Sequence, residues 1–196
     1  MKKIILSILV VLMTFTMVAQ KGKVLEGKWK SLSGIEQFDL EFDYSNVEIP
    51  EFDKEEDYIK QKMKEKDEDE QGQGEVWKKR YLADRENHFE PKFIESFNKR
   101  DDQKVSKSFD NSEYTLKVIV TKSYNGWNVG VMRKAARIDA IITILKKEDN
   151  TPVLKVKYEN VKGADAMGFD FESHVRVAEA YAKLAKSFMS DFKKKV

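Results

Sequence analysis

Residues 37–44, QFDLEFDY, alternate without a break: Phe38, Leu40, Phe42 and Tyr44 fall on one face, and Gln37, Asp39, Glu41 and Asp43 on the other. A period of two sends successive side chains to opposite faces of an extended chain, so the segment predicts a strand buried on one side and solvated on the other. The pattern returns at residues 114–121, where Tyr114, Leu116, Val118 and Val120 alternate with Thr115, Lys117, Ile119 and Thr121. It returns again in VLKVKY, residues 153–158, where Leu154, Val156 and Tyr158 alternate with Lys155 and Lys157. Between these two, residues 138–145 are apolar on both faces apart from Asp139 and Thr143, which predicts a central strand covered on both sides. EDNTP, residues 148–152, predicts the hairpin turn between the last two strands. Upstream, GKWKSL reads as a short partner strand closed by Ser33 and Gly34.

A half-buried sheet needs a cover, and the helix-forming segments supply it. DKEEDYIKQKMKEK, residues 53–66, has only Tyr58, Ile59 and Met63 as an apolar stripe, so this helix is predicted to be thinly anchored. The acidic stretch DEDEQGQGE interrupts it as a flexible loop. Helix resumes with Val76, Trp77, Tyr81, Leu82, Phe89, Phe93, Ile94 and Phe97, and Pro91 divides it into two pieces. At the C-terminus Phe171, Val175, Ala178, Ala182, Ala185, Phe188, Met189 and Phe192 form a longer stripe, with Asp170 or Ser173 as its cap. Glu172 with Arg176, and Glu179 with Lys183, are pairs four residues apart on that helix. Together these elements predict an α+β domain: a single mixed β-sheet with a helical crossover and a C-terminal amphipathic helix packed on it.

Residues 1–19 are read separately. Lys2 and Lys3 precede an apolar run from Ile4 to Val18 that ends on a small residue, the order of a secretory signal peptide, and the run is shorter than the roughly 20 residues a membrane span needs. Cleavage after Ala19 leaves residues 20–196 as a single α+β domain with no transmembrane span, exported to the periplasm or envelope. The 36 Lys and Arg less Lys2 and Lys3 leave 34 bases against 34 acids. A chain so balanced has no long-range pull on nucleic acid. It has no cysteine, so it makes no disulfide and no thiolate metal site.

Few residue constellations here could carry chemistry. His88 and His174 lie far apart in sequence, and neither has a second imidazole at helical metal-ligand spacing. Asp67, Asp69, Gln71 and Gly72 open like a calcium loop, but position 12 falls on Lys78, which replaces the bidentate acid with a cation. No metal site is therefore predicted. The serines sit in no nucleophile elbow, and there is no phosphate-binding glycine loop, so no catalytic residue is singled out and no cofactor is expected. Asp39, Glu41 and Asp43 read as the solvated face of a strand rather than as paired catalytic carboxylates.

SYNGWNVGVMRKAA, residues 123–136, is the exception, because a connection between strands here carries Trp127, Val129, Val131 and Met132 beside Arg133, Lys134 and Arg137. It reads first as a plug on the core, since buried aromatics usually serve packing. The alternative is the lip of a binding site for an envelope protein, peptide, glycan or lipid, with Trp127 as a platform and Tyr124, Asn128 and Arg133 around it.

The runs FDYSN, EEDYIK, RYLADRENHFEPKFIESFNK, NGWNVGVMRKAA and RVAEAYAKLAKSF resemble, in the same order, a set of uncharacterised exported proteins of Bacteroidetes-type bacteria. That likeness spans most of the mature chain and implies export without implying an activity. The order of elements is also similar to the small α/β domain at the N-terminus of TolB, a topological likeness that does not license function. The expected function is that of a non-enzymatic exported binding or interaction protein. The alternatives are an envelope-glycan hydrolase with paired carboxylates and a structural subunit of an envelope assembly.

Overall fold

The computed structural model describes residues 21–52, 54–128, 133–164 and 173–196. Six strands form one mixed sheet in the order β1-β8-β7-β4-β2-β3. They are β1 (Lys23–Gly27), β2 (Gln37–Asp43), β3 (Lys104–Ser106), β4 (Tyr114–Tyr124), β7 (Arg137–Lys146) and β8 (Pro152–Lys162). A two-residue ribbon pairs β5 (Trp127–Asn128) with β6 (Arg133–Lys134). β2 runs parallel to both β3 and β4, a pairing that requires a crossover. The helices α1 (Glu55–Asp69), α2 (Gln73–Asp84) and α3 (Glu90–Asn98) supply it. β4, β7, β8 and β1 then pair antiparallel, and α4 (Ser173–Lys195) closes the chain. This is the α+β architecture that the alternation predicted.

One face of the sheet holds the core. Phe38 and Leu40 of β2, Leu116, Val118 and Val120 of β4, Ile138, Ala140, Ile142 and Ile144 of β7, and Leu154, Val156 and Tyr158 of β8 are all buried there. They join one cluster with Phe93 and Phe97 of α3 and with Tyr181, Leu184, Phe188 and Met189 of α4. The other face of β7 is not covered by a second layer of described elements, contrary to the expectation from its apolar residues. Thr143 sits opposite Lys117 and Lys155, and Ile141 opposite Ile119 and Lys157. Lysine stems lying along the sheet shield those residues while their ammonium groups stay in water, so an apolar face needs no covering helix.

Other expectations change in instructive ways. GKWKSL is not a strand: β1 ends at Gly27, and Trp29–Leu32 is a 3-10 turn that buries Trp29 and Leu32, with the Trp29 ring 5.3 Å from that of Phe188. The acidic stretch is not a flexible loop. α1 runs on to Asp69, and the Asp67 carboxylate accepts the backbone N–H groups of Gly72 and Gly74 at 3.0 and 2.7 Å, which satisfies free donors at the start of α2. The two helical pieces expected near Pro91 are present, α2 ending at Asp84 and α3 opening with Pro91 in its first turn, but they are joined without a break. Helical backbone continues from α2 into α3 through a π-turn over Arg85–Phe89, just ahead of the proline whose missing N–H disturbs the α-pattern. One extra residue in that turn rotates everything after it by about 100°. Phe171 and Asp170 lie outside the described residues, and so does Glu172, so the expected cap and first ion pair of α4 are not addressed.

Candidate functional site

Two regions could hold a ligand, the ribbon at the end of the sheet and the surface where α3 meets α4. At the ribbon, Trp127 pairs with Lys134 and Asn128 with Arg133, and Tyr124 closes β4 opposite Arg137. The Lys134 ammonium stands 5.8 Å from the Trp127 ring centroid. Trp127 is half-buried and Ala136, at the end of the same stretch, is in the core; Val129, Gly130, Val131 and Met132 lie outside the described residues, so the reading of the connection as a plug is not addressed. The connection is tied down at its base, where Arg176 of α4 donates from Nε and Nη2 to the Asn125 carbonyl, both at 3.3 Å. Asn125 Nδ2 also reaches the Tyr58 hydroxyl of α1 at 3.5 Å. The structure thus places Trp127, Asn128 and Arg133 on one small ribbon beyond Tyr124 at the end of β4.

The clefts lie on α3 and α4. These helices run side by side in the same direction, as cross-contacts that rise together in number show: His88 with His174, Lys92 with Glu179, Ser96 with Ala182 and Asp101 with Lys193. Small residues make the channel between them. Ser96 Oγ donates to the Ala182 carbonyl at 2.9 Å, and Ala182 and Ser190, half-buried on α4, line the space that a larger side chain would fill, with buried Ala178 beside the second cleft. At the end of β8, Gly163 completes the floor. A Cβ there would stand 2.0 Å from the Arg176 carbonyl oxygen, so only glycine lets this strand end lie against α4.

The result is a cleft of about 790 Å³ that adjoins a second of about 390 Å³, with Lys92 and Glu95 in the walls of both. From His88 to Asp101 the groove follows 13 residues of mostly helical backbone, about 20 Å at the helical rise. α3 is held rigidly beneath it. Asn98 brackets Val105 of β3, accepting its N–H at 2.8 Å and donating to its carbonyl at 3.0 Å, and buried Glu90 accepts from Lys107 at 2.6 Å.

At one end His88 and His174, far apart in sequence, come together with ring centroids 4.4 Å apart, which corrects the expectation that neither has an imidazole partner. Asp84 Oδ1 lies 3.7 Å from His88 Nε2, and burial pushes the Asp84 carboxyl above the ordinary carboxylate range. No group of three His, Cys, Asp or Glu among the described residues is placed to hold a metal ion. Along the groove, Lys92 sits between Glu179 at 3.1 Å and Glu95 at 4.0 Å, and Lys99 contacts Glu95 at 2.5 Å. Glu179 was expected to pair with Lys183, but the neighbouring helix supplies Lys92 first. Lys183 and Lys186 consequently line the cleft with no ion pair among the described residues.

The fold and groove define an α+β protein with a charged channel between two parallel helices packed on its sheet. No family model, curated protein or solved structure matches the chain. No helix among the described residues is long and apolar enough to cross a membrane.

Proposed function

We propose that the protein is a non-enzymatic binding protein of the periplasm or cell envelope, one of the exported set its sequence resembles, and that its ligand lies in the α3–α4 groove. The observation that carries this reading is the groove itself, a long channel floored by small residues and walled, among the described residues, by seven Lys or Arg and three acids, built on helices fixed to the core. One of its acids, Glu95, does not suit the role of a glycosidase acid. A glycosidase acid must stay protonated near neutral pH, held so by burial or a neighbouring negative charge. The Glu95 carboxyl is instead pulled below its ordinary range by the lysines beside it, Lys99 first and then Lys92. Export is supported by the order of charge, apolar run and small residue in residues 1–19.

The test is retention of envelope material by the immobilised mature protein. Ala182→Trp fills the groove floor from a half-buried position and should abolish retention while leaving the melting temperature within a few degrees of the parent, and Trp127→Ala should retain ligand normally. Loss with Trp127→Ala and none with Ala182→Trp would move the site to the ribbon and refute the groove.

A further inference from the structure

We infer that the groove takes an acidic glycan, an extended chain whose carboxylates alternate with hydroxyl-bearing sugar; this rests on the groove being the binding site. The wall charges come first. Of the seven bases, Lys92, Lys99 and Lys193 are neutralised by Glu179, Glu95 and Asp101, while Arg100, Lys162, Lys183 and Lys186 make no ion pair among the described residues. The ligand therefore supplies several negative charges. It supplies them at intervals, because Lys183 and Lys186 stand about 4.5 Å apart along α4, and Arg100 and Lys162 stand on other walls of the cleft. A single small anion meets one such point and leaves the rest unused.

The same walls limit how densely the ligand is charged. Glu95, Asp101 and Glu179 stand among the lysines, with the hydroxyls of Ser96 and Ser190 beside them. A chain with an anion at every link, such as nucleic acid or polyphosphate, would set like charges against those acids. Sugar hydroxyls between carboxylates donate to them instead. An extended acidic peptide carries backbone N–H and C=O groups that need partners, whereas most of the wall is helix, and at the end of β8 the Gly163 and Ala164 N–H groups are already bonded to the Ala136 and Arg176 carbonyls. A bilayer is matched by a projecting apolar surface, whereas this channel is recessed and Val175 is its one large exposed apolar side chain among the described residues. Apart from the histidine pair at one end, no aromatic ring among the described residues lines the channel, and its charges are what those walls offer a glycan.

Titration calorimetry of the mature protein with oligogalacturonate, neutral dextran oligomers, polyglutamate and phosphatidylglycerol vesicles tests this. The expected result is salt-sensitive binding of oligogalacturonate, no binding of dextran and clearly weaker binding of the other two. Lys183→Glu with Lys186→Glu, at the rim of the groove, should weaken it about tenfold or more, since two attractive pairings are lost and reversal adds repulsion. Lys134→Glu on the ribbon should leave it unchanged. Polyglutamate binding as tightly as the glycan would overturn the inference in favour of an acidic peptide, and binding to vesicles alone would overturn it in favour of a lipid surface. If no probe binds while Ala182→Trp still abolishes retention of envelope material, the ligand class is wrong and the groove stands. If Ala182→Trp changes nothing, the groove itself is wrong.

Discussion

The α1–α2 hairpin and α4 are both helical and both rich in charge, yet they belong to the molecule in different ways. α4 buries twelve of its 23 residues against the sheet and α3. α1 buries Ile59 alone and α2 buries Gly74 alone, and their main packing is on each other. What holds the hairpin is a handful of directional contacts near its base. Arg85 makes a two-oxygen pair with Glu55, whose side chains are 18% and 12% exposed, and the Tyr81 hydroxyl donates to Glu55 at 2.8 Å. Tyr58, Trp77 and Tyr81 pack as an aromatic cluster, and the Arg85 guanidinium lies 4.4 Å over the Tyr44 ring. Broad apolar burial resists local opening, whereas a few polar links can be released one at a time. The contrast teaches why the groove belongs on α3 and α4, where the walls are held in register by the core.

Substitutions can break that contrast, and the largest effect belongs to the body. Phe188 is fully buried between Trp29, Phe97 and Phe192, so Phe188→Ala should cost about 3–5 kcal/mol in chemical denaturation and lower the protection of every core amide together. Next comes the base of the hairpin. Glu55→Gln leaves the largely buried Arg85 without its anion, and a loss of about 2–3 kcal/mol is expected, scaled down from a fully buried pair by the residual exposure. That loss should show as faster hydrogen exchange in residues 55–84 with little change in the sheet. Uniformly faster exchange would mean that hairpin and body unfold as one. Gly74→Ala sharpens the comparison further. Its Cβ would meet the Met63 carbonyl at 2.6 Å and the Asp67 carboxylate at 2.7 Å, so about 1–2 kcal/mol is expected, again confined to the hairpin.

The smallest effect is one of pH. Hydrogen bonds from the Ser45 hydroxyl and backbone hold the Asp43 carboxyl down to about 2, with Lys117 adding to them. A depressed carboxyl stabilises the fold above its unfolded value and loses that contribution as pH falls from near 4 towards 2. Asp43→Asn should therefore lower stability by under about 1 kcal/mol at neutral pH, given partial exposure, with the difference from the parent vanishing near pH 2.

How much of this was legible in the sequence follows from which forces act locally. β2, β4 and β8 declare themselves because each buries one face, and burial leaves a period of two. β1 does not, since all five of its residues are exposed, and β3 is three residues long and held by the Asn98 side chain, which no periodicity reveals. The Asp67 cap was readable only as an acidic stretch, because its partners follow from the turn it creates. Trp127, Asn128 and Arg133 share a ribbon because they are near neighbours in sequence, which says nothing of a ligand. The groove was not legible at all. His88 meets His174, and Glu179 prefers Lys92 to Lys183, only because two distant helices pack in parallel. The channel exists where Ala and Ser omit bulk, a signal visible only once the neighbours are known.

The central claim, that the ligand sits between α3 and α4 and not on the ribbon, is tested most directly by a lysine-reactivity footprint. Mature protein saturated with retained envelope material is acylated briefly and compared, residue by residue, with the free protein. The account predicts that Lys92, Lys99, Lys183 and Lys186 lose reactivity severalfold while Lys134 and the hairpin lysines Lys60 and Lys64 do not. Protection of Lys134 with the groove lysines unchanged would contradict it.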